Sequence, residues 1–295
     1  MLKSDNFEYL LDTRLKKVYD KTWKEIPSRL NMLYNKRSSE KAIEYDYTLG
    51  DAGLPQKFDG QINYQELYGQ YRTSYEHSEL TTGIRIQRKL LDDDQYDVID
   101  KMPTLLARSM KLQREEDGAA VFNNAFSTSY TGSDSVALCS NSHPAQGTSD
   151  DQDNLSTSAM TVASVKAGRI TMQKFETDKG NKAGIFPTMI LCPIDLGDTA
   201  AEITKSDKVP YEISNTMNVL DGRYKVIDWL YLTDTNNWFM IDANMMKMFL
   251  IWYNRINTEF NRDVDSDTYV RKYSTYMRYS NGFSGWNWVL GHNVS

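Results

Sequence analysis

Pro103 to Phe126 reads P-T-L-L-A-R-S-M-K-L-Q-R-E-E-D-G-A-A-V-F-N-N-A-F, and Ser135 to Pro144 reads S-V-A-L-C-S-N-S-H-P. The first stretch predicts a long helix. Met102, Leu105, Leu106, Met110, Val121, Phe122, Ala125 and Phe126 form an interrupted apolar face. Pro103 suits a first helical turn, where its missing N–H costs nothing. At about 1.5 Å per residue the helix would span roughly 36 Å. Gly118 inside it costs about 1 kcal/mol relative to Ala, and with Ala119 and Ala120 it leaves room for another backbone to approach. The second stretch predicts a short apolar strand.

Upstream, Asp92-Asp93-Asp94 suits the positive end of the helix dipole. Ala42 to Thr48 (A-I-E-Y-D-Y-T) alternates as a half-exposed strand, and Gly50-Asp51-Ala52-Gly53-Leu54-Pro55 makes a turn-rich tip. Strands are predicted again over Ile62 to Tyr75 and Leu80 to Leu90. This Tyr-rich hairpin has few aliphatic residues and is too polar to own a core, and a lone two-stranded hairpin is marginal in water. It needs a partner surface. At the N-terminus, Phe7, Leu10, Leu11, Leu15 and Val18 fall at helical spacing, and Pro27 must end or follow that helix.

Downstream, 147–158 is a polar, acidic loop. A second helix is predicted over about Ala159 to Phe175, a buried strand over Phe186 to Leu196, and a short helix near Asp198 to Lys205. Strand signals follow at Tyr224 to Leu232, Trp238 to Ala243, Phe249 to Tyr253, Tyr269 to Tyr279 and Trp286 to Leu290. The class is α+β.

With 295 residues, 40% of them apolar, the chain can bury a substantial core. Nineteen Tyr against ten Phe suits half-buried sheets and protein interfaces. The net charge of −6 and the lack of a basic stripe argue against specific nucleic-acid binding. The mild cluster of Lys16, Lys17, Lys21, Lys24, Arg29, Lys36 and Arg37 reads as a solvated arm that meets an acidic neighbour. Cys139 and Cys192 sit in apolar runs and predict buried free thiols in a reducing compartment. No signal peptide and no run of membrane-spanning length is visible, which predicts a soluble product with no membrane partner.

No catalytic pattern stands out. His77, His143 and His292 are not spaced to bind metal, and no nucleophile elbow is present. Asp263, Asp265 and Asp267 open like a calcium loop, but Thr268 stands where the turn wants Gly and Ser274 where the twelfth ligand should be Glu. A solvated acidic turn is predicted instead. Asn154 begins an N-L-S sequon, inert without a secretory route. No enzyme activity, cofactor or metal is expected.

In this order of elements, the chain resembles the Hong Kong 97 (Johnson) fold of tailed-bacteriophage major capsid proteins, with its best local match to siphophage-type and Mu-like major head subunits. In those, a helix ending near N-N-A-F is followed by G-x-D-x-V-A-L-x-S-x-x-H-P, here Gly132, Asp134, Val136, Ala137, Leu138, Ser140, His143 and Pro144. Trp238 to Asp242 (W-F-M-I-D) and Gly285 to His292 (G-W-N-W-V-L-G-H) add to the likeness. The resemblance implies an N-terminal arm (1–40), an extended β-hairpin loop (41–92), a peripheral domain with a long spine helix (93–155) and a C-terminal sheet (245–295), and an axial domain (156–244). It implies contacts between subunits through the loop tip, Leu54, Pro55, Gln56, Lys57 and Phe58, and through Phe7, Leu11, Lys16 and Arg29 of the arm.

The function so implied is a structural coat protein that self-assembles into hexamers and pentamers of an icosahedral phage head. Its expected partners are other copies of itself, portal and scaffolding proteins, a decoration protein, and packaged double-stranded DNA held non-specifically; its place is the virion, after assembly in the host cytoplasm. Some relatives carry a cleaved scaffolding segment. None is visible here, so scaffold is expected as a separate protein or the chain as the mature form. Some relatives also cross-link a loop lysine to a neighbour's Asn; Lys57 reads as an ordinary surface lysine. Two other readings are an encapsulin-like compartment shell and a soluble enzyme or ligand-binding protein with a Tyr-lined pocket.

Overall fold

Two sheets of different character organise the molecule. The structure is a computed structural model that describes residues 4–67, 69–89, 93, 98–145, 150–210, 216–265 and 267–294, with the side chains of 4–12, 70, 98 and 100 left aside. Asp92 and Asp94 of the acidic triplet lie outside the described residues.

Helix α1 (Ser4–Glu25) ends just before Pro27, and a single turn, α2 (Leu30–Leu33), leads into strand β1 (Asn35–Ser38). Strands β2 (Ile43–Leu49), β3 (Gly69–Glu76) and β4 (Ser78–Gln87) precede the long helix α3 (Val98–Asn123). After it come β5 (Leu155–Ser156), α4 (Val162–Gln173), β6 (Met189–Cys192), a 3-10 turn (Ile194–Leu196) and α5 (Gly197–Lys205). The chain finishes with β7 (Lys225–Asp228), β8 (Trp238–Ile241), α6 (Ala243–Phe249), β9 (Leu250–Asp265), β10 (Val270–Phe283) and β11 (Val289–His292).

The first sheet has the order β5-β11-β8-β6-β7. M-I-L-C of β6, W-F-M-I of β8 and V-L-G-H of β11 are buried at every position. Continuous apolar strands need cover on both faces, and the molecule provides it. On one face Ile190, Met240 and Leu290 pack with α4 and α5 through Val165, Met172, Ala200 and Ile203. On the other, Leu191, Phe239 and Val289 pack with Phe122 of α3, Trp229 and Trp288. Both cysteines are buried here, as free thiols.

The second sheet has the order β1-β9-β10-β4. Strands β9 and β10 are much longer than the Phe249–Tyr253 and Tyr269–Tyr279 segments expected. Only the first four residues of β9 are buried; beyond them β9 turns mostly polar, while Tyr273 of β10 and Phe260 of β9 pack under α1. The hairpin's pairing there rests on backbone bonds, which hydrophobicity does not mark. At the far end Asp265 accepts from the Asp267 amide and pairs with Lys272, the solvated acidic turn that the sequence predicts. Strand β4 pairs with β10, so it belongs to this sheet and not to the free arm.

Three further expectations are corrected. The long helix begins at Val98, which places Pro103 inside it, where its ring removes the bond to the Ile99 carbonyl. Residues 62–67 are not strand. The apolar run Ala137-Leu138-Cys139 is buried but forms no named strand. Its backbone partners come from elsewhere: Cys139 N–H donates to the Ala125 carbonyl, and the Asn154 side chain serves both Ser140 and Leu138. Gly118 does allow a close approach, by a side chain: a Cβ there would sit 2.1 Å from Leu30 Cδ2.

Candidate assembly surface

The arm is a two-stranded ribbon, β2 against β3, running from Ile43 opposite Glu76 to Leu49 opposite Gly69. Alternate residues of a strand share a face. Tyr45, Tyr47 and Leu49 lie on one face, and that face is exposed, Tyr47 by 63%. Glu44, Asp46 and Thr48 take the less exposed face. The usual arrangement of a half-buried strand is thereby inverted, with the rings outward.

Beyond β2 the chain makes an irregular tip, 50–67. Leu54, Pro55, Gln56, Lys57 and Phe58 are all exposed, and Ile62, Tyr64 and Leu67 add to them, Tyr64 by 86%. Of nineteen large apolar side chains exposed among the described residues, eight fall between Tyr45 and Leu67. Exposed apolar side chains gathered on one element are the kind of surface that interaction sites use.

The base of the tip is fixed on its own subunit. The Asp51 amide donates to Asp178 Oδ1 at 2.9 Å, and Lys179 Nζ donates to the carbonyls of Glu66 (2.9 Å) and Ala52 (3.4 Å). The Asp51 carboxyl is held below its ordinary range, first by the Gly53 amide, then by the Thr177 and Asn181 side chains and the Lys179 charge. The receiving turn closes through Gly180, whose φ of 74° suits glycine. A cavity of about 470 Å³ lies behind this latch, walled by Phe249, Phe283, Trp286 and His143.

Of the N-terminal residues, Phe7 and Leu11 lie in the part of α1 whose side chains are outside the description. Lys16 is exposed. Arg29 makes an ion pair at 3.3 Å with Asp228 of its own chain. The helix lies on its own subunit through Leu15 and Tyr19, which pack with Ile86, Ile99, Leu106 and Tyr273.

The three histidines are held in structural roles. His77 contacts Ser39 Oγ (3.0 Å) and Ser280 Oγ (2.9 Å), and burial pushes its pKa down. Ser39–His77 has the first contact of a hydrolytic triad, but a hydroxyl stands where the orienting carboxylate would be, and Ser39 is buried. His143 Nδ1 meets Asp134 Oδ2 at 2.8 Å, Nε2 meets Asn154 Oδ1 at 3.0 Å, and the ring stacks on Trp286 at 4.3 Å. The Asn154 orientation is fixed, because Oδ1 accepts from the Ser140 amide while Nδ2 donates to the Leu138 and Val289 carbonyls. Both His143 nitrogens therefore face oxygen acceptors. The D-x-V-A-L-x-S-x-x-H motif is thus an internal knot; Asn154, its other member, is 0% exposed. His292 stacks on Trp238, and burial pushes its pKa down to about 3.

Among the described residues no group of three or more His, Cys, Asp or Glu could hold a metal ion, and no helix is long and apolar enough to cross a membrane.

A family model described as "Phage capsid protein" matches residues 72–286. No curated protein matches the chain. Among solved structures, it is similar to the capsid of bacteriophage JBD30 decorated with minor capsid protein trimers (TM-score 0.57, 13% identity, 70% of this chain and 92% of that one). It is similar also to a chain from Microbacterium phage Oxtober96 (TM-score 0.59, 8% identity, 92% of each chain). A third likeness is to the SrpI encapsulin of Synechococcus elongatus (TM-score 0.54, 13% identity, 92% and 88%). At such identities the likeness is one of fold.

Proposed function

The chain belongs to the phage capsid protein family, and from that premise we propose that it is the major coat subunit, with the Hong Kong 97 fold, whose hexamers and pentamers close an icosahedral head around double-stranded DNA. The single observation that supports the assembly route is the outward-facing apolar arm. An arm with no core of its own gains burial only on a neighbouring subunit, where each large side chain covered contributes about 1.5–3 kcal/mol before ordering costs. Weak contacts repeated around every subunit then stabilise a closed shell.

In this reading 1–40 is the N-arm, 41–92 the extended loop with its last strand, β4, anchored in the second sheet, 93–155 and 245–295 the peripheral domain, and 156–244 the axial domain at the capsomer centre. Leu54, Pro55, Gln56, Lys57 and Phe58 meet a neighbour, as do Phe7, Leu11 and Lys16. Arg29 would have to keep or exchange its bond to Asp228. Portal, scaffolding and decoration proteins are the further partners, the virion is the location, and no catalysis is assigned.

The test replaces Leu54, Phe58 and Ile62 together by Ser and examines the particles by negative-stain electron microscopy. Folded subunits that no longer close shells are expected; wild-type shells from the triple variant would overturn the arm as the assembly contact. Nuclease-protected DNA in particles from the host is expected for a head, whereas shells that hold protein cargo and no DNA would make the chain a compartment shell.

A further inference from the structure

At the foot of α1 the chain builds a second concave site, of about 440 Å³, where the end of that helix, the Pro27 turn, β1 and the middle of α3 meet. Its walls carry Lys24, Lys36, Lys111 and Arg114, with the Trp23 indole and the Ser28 hydroxyl between them. We propose that this pocket binds a phosphate group, either a free phosphate anion or a phosphodiester of nucleic acid.

Charge is the first reason. Among the described residues no carboxylate forms an ion pair with any of the four cations. The nearby carboxylate is Glu115; its Oε2 takes the Arg29 amide (3.2 Å) and Trp229 Nε1–H (3.3 Å), and its charge offsets only part of the repulsion among the cations. In a chain of net charge −6, four cations around one hollow are a local exception. They destabilise one another: Lys36 is pushed down to about 8 by burial and then by the Arg114 and Lys111 charges, and Lys111 is lowered by burial and Arg114. A bound dianion would relieve that repulsion.

Preorganisation is the second. Arg114 is buried and fixed, donating to Asn254 Oδ1 at 3.1 Å, with its guanidinium 5.0 Å from the Trp252 ring centre and 5.5 Å from that of Tyr279. Lys111 Nζ sits 4.8 Å over the Trp23 ring. Lys36 is steered by Asn31 Oδ1 at 2.5 Å. The Ser28 Oγ is buried without a hydrogen-bond partner, a free donor at the wall of a cationic hollow. One carboxylate is served by a single bidentate Arg; several point-charge ammonium groups, a guanidinium and a hydroxyl around one space suit a tetrahedral, multiply charged oxyanion. The hollow is complete within one subunit and does not depend on the shell.

The test compares thermal unfolding of the full chain in sodium phosphate with sodium chloride and sodium acetate at equal ionic strength, for wild type and for the K36Q/K111Q double variant. Phosphate should raise the wild-type midpoint by several degrees over both other salts. The variant should lose that rise while its own midpoint in chloride stays level or increases, because two repelling charges are gone. Titration with a short single-stranded oligonucleotide then separates the sources. Binding that weakens at least tenfold in the variant assigns the site to a phosphodiester; a phosphate response without oligonucleotide binding assigns it to a free anion. An equal rise in wild type and variant, or acetate or a polyglutamate peptide acting as strongly as phosphate, would overturn the site.

Discussion

The arm and the knot around His143 use similar side chains, half-polar aromatics and short polar groups, to opposite ends. In the arm Tyr45 and Tyr47 turn their rings outward and stay exposed, with only the Arg72 guanidinium laid over the Tyr45 ring at 4.9 Å. In the knot Trp286 covers the His143 ring, and every polar atom of Asn154 has a partner. The difference lies in where the hydrogen-bond partners come from. The knot closes on itself and so fixes the fold of one chain, while the arm leaves its apolar face exposed, which the proposed function assigns to another chain. Stability and assembly should therefore be separable by substitution.

The largest effect on stability is expected from Asn154→Ala. It leaves the Ser140 amide, the Leu138 and Val289 carbonyls and a His143 nitrogen without partners inside the protein, at about 1–3 kcal/mol for each orphaned group and less than additively. A loss of about 4 kcal/mol and a midpoint lower by roughly 10 °C should appear in calorimetry. A loss below about 1 kcal/mol would remove the knot from its place in the comparison.

Gly291→Ala comes next. A Cβ there would lie 2.5 Å from Cys139 Sγ and 2.7 Å from the Phe126 ring, both packed, so overpacking of about 1–3 kcal/mol is expected in denaturant unfolding.

The third concerns pH. His292 titrates at about 3 in the folded chain against an ordinary 6.5, so between those values the unfolded chain binds more protons. Its contribution is complete above pH 6.5 and is lost on acidification, by up to about 1.4 kcal/mol per pH unit. His292→Gln should flatten the fall in midpoint between about pH 6 and pH 4 relative to wild type; an unchanged slope would show that the ring is not held neutral.

The smallest effect on stability belongs to the arm. Tyr47→Ser and Phe58→Ser should each alter subunit unfolding by less than about 0.5 kcal/mol, the ordinary range for exposed sites, and yet reduce the yield of closed shells. If Phe58→Ser unfolds the subunit as readily as Asn154→Ala, the arm is part of the core and the contrast fails.

Some of this was legible in the sequence for plain physical reasons. The buried strands announce themselves as M-I-L-C and W-F-M-I, and the long helix α3 shows an apolar face. The arm stands out because its tyrosines have no aliphatic company. Other features left no local trace. The outer half of β9 is mostly polar, with Phe260 packed against Tyr19 and Tyr273, so its cross-strand bonds to β10 do most to define it. Pro103 reads as a helix start because the residues before it carry no helical pattern strong enough to outvote proline. His143 belonged to a motif that could be matched but not explained, since its partner Asn154 is joined to it across a polar loop and resembles a sequon. The cationic hollow draws on residues from Trp23 to Arg114, a set that only the fold brings together.

Both native cysteines lie deep in the first sheet and its surroundings. Burial pushes the Cys192 thiol up to about 12 and raises Cys139 as well, so neither offers a thiolate to reagents in water. A single sulfur placed on the outside and away from the arm, for instance by Thr128→Cys, would then be the sole addressable handle on each subunit. A particle assembled from such chains would carry conjugated dye or cargo at one defined point per copy, with no background from the interior and no need to remove the natural thiols first.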